Sequence, residues 1–205
     1  YLALAAYRRG EYTEAAAVLS ESLALVRELG DPQQAAWTLN HLGDVARRQD
    51  DHERAARFYL QSLALFDEQG HRQGRAAVLH NQGHLALVQG DSVRAARHFA
   101  ESLRLFQELG YQWSVADCLA GMAGVAVAEG KLERAARLFG AEEAAHEACD
   151  ASGVLVGPAN KAAWDRDIAH GQAQMGSAAW AEAWAIGRKL PVEQAIHEAL
   201  EGRMQ

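Results

Sequence analysis

Nine histidines and two cysteines are the residues through which this chain could do chemistry, and their spacing decides what kind. His80 and His84 stand at i and i+4, which places both imidazoles on one helix face where they could share a metal. No His-Glu-x-x-His motif surrounds them, and further ligands would have to come from neighbouring helices. The pair therefore reads as two solvated histidines, not a metal centre. Cys118 and Cys149 lack zinc-finger spacing and read as buried or partly buried thiols. Two cysteines exclude a disulfide framework and point to a reducing, cytoplasmic setting. The stretch GVAVAEGK from Gly124 to Lys131 puts five residues between its glycines and is followed by Leu132. A phosphate-cradling loop needs four, then Ser or Thr after the lysine to hold Mg²⁺. Ser22, Ser62 and Ser102 have no general base in view, and their recurrence marks them as packing residues. The pairs Glu142–Glu143 and Asp50–Asp51 fall at helix surfaces or ends, where carboxylates are solvated or favoured by the helix dipole. No catalytic group, cofactor or metal is expected, so the chain reads as a binder and not an enzyme.

The elements that carry these residues follow from a repeat. ESLALVRELG at 21–30 returns as QSLALFDEQG at 61–70 and ESLRLFQELG at 101–110. EYTEAAAVLS at 11–20 returns as DHERAARFYL at 51–60, DSVRAARHFA at 91–100 and KLERAARLFG at 131–140. The period is 40 residues without a gap, so one supersecondary unit is used four times. In the second unit Asp31 and Pro32 open a helix as cap and first residue, which runs to about Arg48. A second helix runs from about Asp51 to Gln69. Gly10, Asp50, Gly90 and Gly130 close the first helices, and Gly30, Gly70 and Gly110 the second, as left-handed terminators. With only 3 prolines, the 205-residue chain is expected to be mostly helical. A charge balance of 20 Lys+Arg against 27 Asp+Glu gives −7, which argues against a surface built to bind nucleic acid. Arg54, Arg94 and Arg134 recur on the second helices and are expected to make surface ion pairs. No apolar run reaches the roughly 18–20 residues of a membrane span.

Small and large residues fall in register. Ala3, Gly43, Gly83 and Ala123 are equivalent, as are Ala15, Ala55, Ala95 and Ala135. Leu19, Tyr59, Phe99 and Phe139 follow four residues after the second set. This spacing resembles the tetratricopeptide repeat over about residues 1–149, although the period is 40 instead of 34 and no proline closes the second helix. The resemblance implies an all-α, right-handed superhelical solenoid of helical hairpins, in units of about 1–30, 31–70, 71–110 and 111–149. Residues 150–205 would add a helical C-terminal cap, with a loop over 151–158 and helices over about 159–174, 177–187 and 191–202. Trp164, Trp180 and Trp184 are concentrated there, for covering the apolar end of the stack or for an aromatic ligand pocket.

In such a stack the first helix of each unit lines the concave side. Counting from the small residue, one face carries Leu4, Tyr7 and Arg8, then Trp37, Asn40, Asp44, Arg47 and Arg48, then His80 and His84 among Ala77, Leu87 and Val88. The fourth unit offers Asp117, expected at a rim in water, among Ala120, Gly124, Val127 and Ala128. Tyr7, Arg8, Trp37, Asn40, Asp44, Arg47, Arg48, His80 and His84 are the candidate binding residues, for a peptide, protein or small-molecule inducer. Trp37 could instead pack on the preceding unit. The Asn and Lys set by which chaperone-type repeats hold a terminal carboxylate is not reproduced.

Two further segments, RAARLFGAEEA at 134–144 and WAEAWAIGRKLPVEQAIHEAL at 180–200, resemble the C-terminal end of bacterial LuxR-type regulators and related STAND-class signal-transduction NTPases, some fused to nucleotide cyclases. That resemblance implies a sensor region that lies downstream of an NTPase module in the same chain, with a DNA-binding domain elsewhere in it. The start at Tyr1, inside a helical pattern and without a secretory leader, is consistent with a piece of a longer protein. A standalone assembly scaffold is the alternative, and a homo-oligomer is compatible with either.

Overall fold

The computed structural model describes residues 2–149 and 158–201, with the backbone alone for 158–160. The loop expected over 151–158 thus lies, Pro158 apart, outside the described residues, as does the end of the helix expected to reach 202. The described residues are all-α, without a strand. In order the helices are α1 (Leu2–Arg9), α2 (Tyr12–Glu28), α3 (Pro32–Arg48), α4 (His52–Glu68), α5 (Arg72–Val88) and α6 (Ser92–Leu109). There follow α7 (Gln112–Ala128), α8 (Leu132–Ala148), α9 (Pro158–Met175), α10 (Ser177–Gly187) and α11 (Val192–Leu200).

Local chemistry explains where the helices start and stop. The carboxylates of Asp31, Asp51 and Asp91 accept the N–H groups of Gln34, Arg54 and Arg94 at 2.9, 3.0 and 2.9 Å. Each satisfies an orphan donor at a helix N-terminus. His71 does the same for α5, taking the N–H of Gly74 on Nδ1 at 3.0 Å. At the other ends, left-handed residues reverse the chain. Asp50 does this at φ +58°, where the equivalent turns use Gly10, Gly90 and Gly130. The N–H of the next residue then returns to the helix: Asp51 bonds the carbonyl of Ala46 at 3.0 Å, and Lys131 that of Ala126 at 2.8 Å.

The helices gather into two compact units divided after Leu85. In the first, α1 packs on α2, α2 on α3, and α3 on α4 as successive hairpins. Tyr59 and Phe66 of α4 are fully buried with Ala36, Ala46, Ala55 and Val78. Both rings lie on glycines: a Cβ at Gly43 would overlap the Tyr59 ring, and one at Gly74 the Phe66 ring. Burying each ring stabilises the hairpins by about 2–3 kcal/mol. Ser62 ties the same helices together, donating to the carbonyl of Ala36 at 2.7 Å from a buried position.

In the second unit α6 packs on α7 and α7 on α8, and α10 then lies against α8. Phe99 presses on Gly121. Gly140 and Gly187 let α8 and α10 cross backbone to backbone, since a Cβ at either would strike the carbonyl oxygen of Trp184 or Arg137. Trp180 is buried over Gly171 and against Phe139, with ring centroids 6.4 Å apart. The recurring arginines do not behave alike. Arg94 pairs with Asp91 at 3.5 Å, whereas Arg54 lies over the Phe58 ring at 5.3 Å. Arg134 donates to the carbonyls of Glu198 and Ala199 at 2.7 and 3.0 Å. It thus satisfies the C-terminal carbonyls of α11 and is no surface ion pair.

Candidate partner-binding face

Helical spacing along α3 brings Trp37, Asn40, Asp44, Arg47 and Arg48 towards one side, and α1 and α5 add Tyr7 and the two histidines. Several of them hydrogen-bond in small sets. Arg47 donates to Asp44 Oδ1 at 2.6 Å, and the Tyr59 hydroxyl donates to the same oxygen at 3.2 Å. Burial acts to raise the Asp44 carboxyl, but the Arg47 guanidinium, together with Arg48 and His41, outweighs it and holds the group below the usual carboxylate range. Burial likewise works against the Arg47 cation, and Asp44 more than offsets this. Burial, then the Asp44 charge, pushes Tyr59 well above an ordinary phenol and Tyr7 up to about 12. Arg48 Nε donates to the Tyr7 hydroxyl at 3.3 Å, linking α3 to α1. Asn81 donates to Asn40 Oδ1 at 3.1 Å, linking α5 to α3.

The histidines are not solvated as expected. His80 and His84 are 9% and 5% exposed, with their Nε2 atoms 3.1 Å apart. At that distance one ring donates and the other accepts. Burial, then the neighbouring His80, Arg47 and Arg48, holds His84 well below the usual imidazole range, so it is neutral. Among the described residues no group of three or more His, Cys, Asp or Glu is placed to hold a metal ion.

The candidate residues therefore fall into two groups. Asn40, Arg47, His80 and His84 are buried, while Tyr7, Trp37, Asp44 and Arg48 are half-buried and Arg8 is exposed. Trp37 packs forward, not on the preceding unit. Its ring stands edge-on to Phe66 at 4.9 Å and to His71 at 6.0 Å. Sequence reasoning gave Tyr59 a packing role only. The signal for its second role was available, since it is the one hydroxylated ring where Leu19, Phe99 and Phe139 stand in the other copies. In the second unit Asp117 is not at a watery rim. It pairs with His146 of α8 at 3.5 Å, and His146 also bonds Glu142 at 2.7 Å.

The reachable groups are two guanidiniums, a phenol, a carboxylate and an indole. They can hydrogen-bond and stack on a polar or aromatic segment of another molecule. Residues 1–68 match the tetratricopeptide repeat family. The match spans α1 to α4, 68 of the 205 residues. None of the curated proteins matches the chain. Tetratricopeptide repeats stack helical hairpins to build surfaces for protein partners, and the α1–α4 hairpins are TPR-like in this sense. No described helix is long and apolar enough to cross a membrane.

Proposed function

We propose that the chain is a non-catalytic sensor and interaction region of a bacterial LuxR-type or STAND-class regulator, with the α1–α3 face of the first unit as its contact surface. The observation that carries the binding role is the division of labour on that face. The buried Arg47 and Tyr59 hold the reachable Asp44, and Arg48 and Tyr7 hold each other between α3 and α1. Preorganised polar groups lose little freedom on binding, and this favours recognition. The regulator context rests on the segments at 134–144 and 180–200. In that setting a ligand or partner that prefers one arrangement of the helices shifts the population read by an NTPase module in the same protein; differential affinity for the two arrangements is the requirement.

The test is to express the chain joined to the rest of its own open reading frame and measure nucleotide hydrolysis with wild-type or Arg8→Ala/Arg48→Ala sequence. An altered response to the inducing partner is expected from a chain that still folds. A reading frame with neither a P-loop module nor a helix-turn-helix would refute the regulator context. The standalone scaffold, which the repeat match alone supports, would then be the better account.

A further inference from the structure

A cavity of about 320 Å³ opens within the second unit, between α8, α9 and α10. Its apolar lining comes from Trp164, Ile168, Trp184 and Phe139, and its polar lining is dominated by carboxylates, among them Glu142, Glu143 and Glu147. Phe139 and Trp184 stack with centroids 6.1 Å apart and an interplanar angle of 16°. The size is at the lower end of small-molecule sites, which combine apolar walls with a few placed polar groups.

The charges around it do not cancel. Arg188 is shared by two carboxylates: it bonds Glu143 and reaches Glu147 Oε2 at 2.7 Å. Trp184 Nε1 donates to Glu143 as well, at 2.8 Å. His146 is also shared by two, Glu142 and Asp117. Asp165 has a cation of its own in Lys161, at 3.2 Å. Among the charged lining residues and these partners, five carboxylates stand against three cations. The surplus negative charge borders aromatic faces, the setting in which an organic cation gains both Coulomb attraction and cation–π contact. Trp164, 7% exposed, is a buried part of the aromatic wall.

We propose that this cavity binds a small organic ammonium ion with an aromatic or apolar body. The site belongs to the second unit and stands independently of the face on α1 and α3. Tyramine is a suitable probe, and tyrosol, in which a hydroxyl replaces the ammonium, is its neutral counterpart. Binding is followed by the indole N–H signals in two-dimensional NMR of the full chain. Tyramine is expected to shift the Trp184 and Trp164 indole signals with a dissociation constant below about 1 mM, a realistic affinity for so small a ligand. Tyrosol should bind at least about tenfold more weakly, because it forgoes the charge term. Glu147 is largely exposed, so Glu147→Gln leaves the fold intact while removing one surplus charge. It should weaken tyramine about fivefold and leave tyrosol unchanged. Equal affinity for tyramine and tyrosol would overturn the proposal, as would tyramine binding indifferent to Glu147→Gln, or no indole shift at about 10 mM probe.

Discussion

Replacing His146 by Gln should remove a pH-dependent clamp between α7 and α8. The ring lies between Glu142 at 2.7 Å and Asp117 at 3.5 Å, and stacks on Trp113 with centroids 4.2 Å apart. Burial opposes its charge, but the neighbouring Asp117 and Glu142 carboxylates win and raise it from 6.5 to about 9. A group held above its unfolded value contributes stability that is complete below pH 6.5 and is lost as pH rises through 9. Taken alone that gap corresponds to about 3 kcal/mol. Two effects reduce it. Water reaches part of the ring and screens the pair, and Glu142 is itself raised by burial, so its charged form is costly in the fold. A net contribution of about 1–2 kcal/mol remains. For a chain of this length it corresponds to about 3–6 °C in melting temperature. Thermal unfolding of wild type and His146→Gln between pH 6 and pH 10 measures it. The wild type should melt higher at pH 6, and the two curves should converge by pH 10. Parallel curves across that range would refute the clamp.

Other perturbations test other joints of the fold. Gly187→Ala should destabilise the second unit by about 2–3 kcal/mol in urea unfolding, because its Cβ meets the Arg137 backbone, which cannot rotate away. Asp44→Asn leaves the Arg47 cation, 6% exposed, without its counter-charge. It should cost about 2–3 kcal/mol by the same assay, near the low end for breaking a buried pair because Asp44 is only half-buried. Asp50→Gly relieves a non-glycine residue at φ +58° and should stabilise by about 0.5–1 kcal/mol. Tyr7 should remain protonated well beyond pH 10 and ionise near pH 12 in an ultraviolet difference titration; a normal midpoint would contradict its burial beside Asp44.

The parts of the fold readable in the sequence are those that a single hairpin determines. Asp31 before Pro32, the glycines at fixed turns, and Asp50 in a glycine position each act on their own few residues, so local chemistry is enough to place them. The recurrence of Ser62 likewise marked a packing position between helices, and there it bonds the Ala36 carbonyl. What was not readable depends on which helix covers which. His80 and His84 could be assigned to one helix face, but only the packing around α5 shows that the face is closed to water. The Gly140–Gly187 crossing joins a repeat helix to a segment outside the repeat, so no register pointed to it. Asp117 looked solitary because its partner, His146, lies on the next helix. On the candidate face helical spacing did not separate buried from accessible positions, since Arg47 and Arg48 are neighbours in the chain and differ in burial.

The central claim is that the α1–α3 face of the first unit is where this chain meets a partner. Selection of peptides from a random display library against the immobilised full chain, followed by calorimetry, tests it most directly. The selected peptides should lose at least about tenfold in affinity for an Arg8→Ala/Arg48→Ala chain, as expected for central contacts of an interface. They should also be blind to Arg57→Ala on α4, where the exposed arginine pairs with Glu53 at 3.7 Å. Peptides that bind both variants as tightly as wild type would contradict the claim.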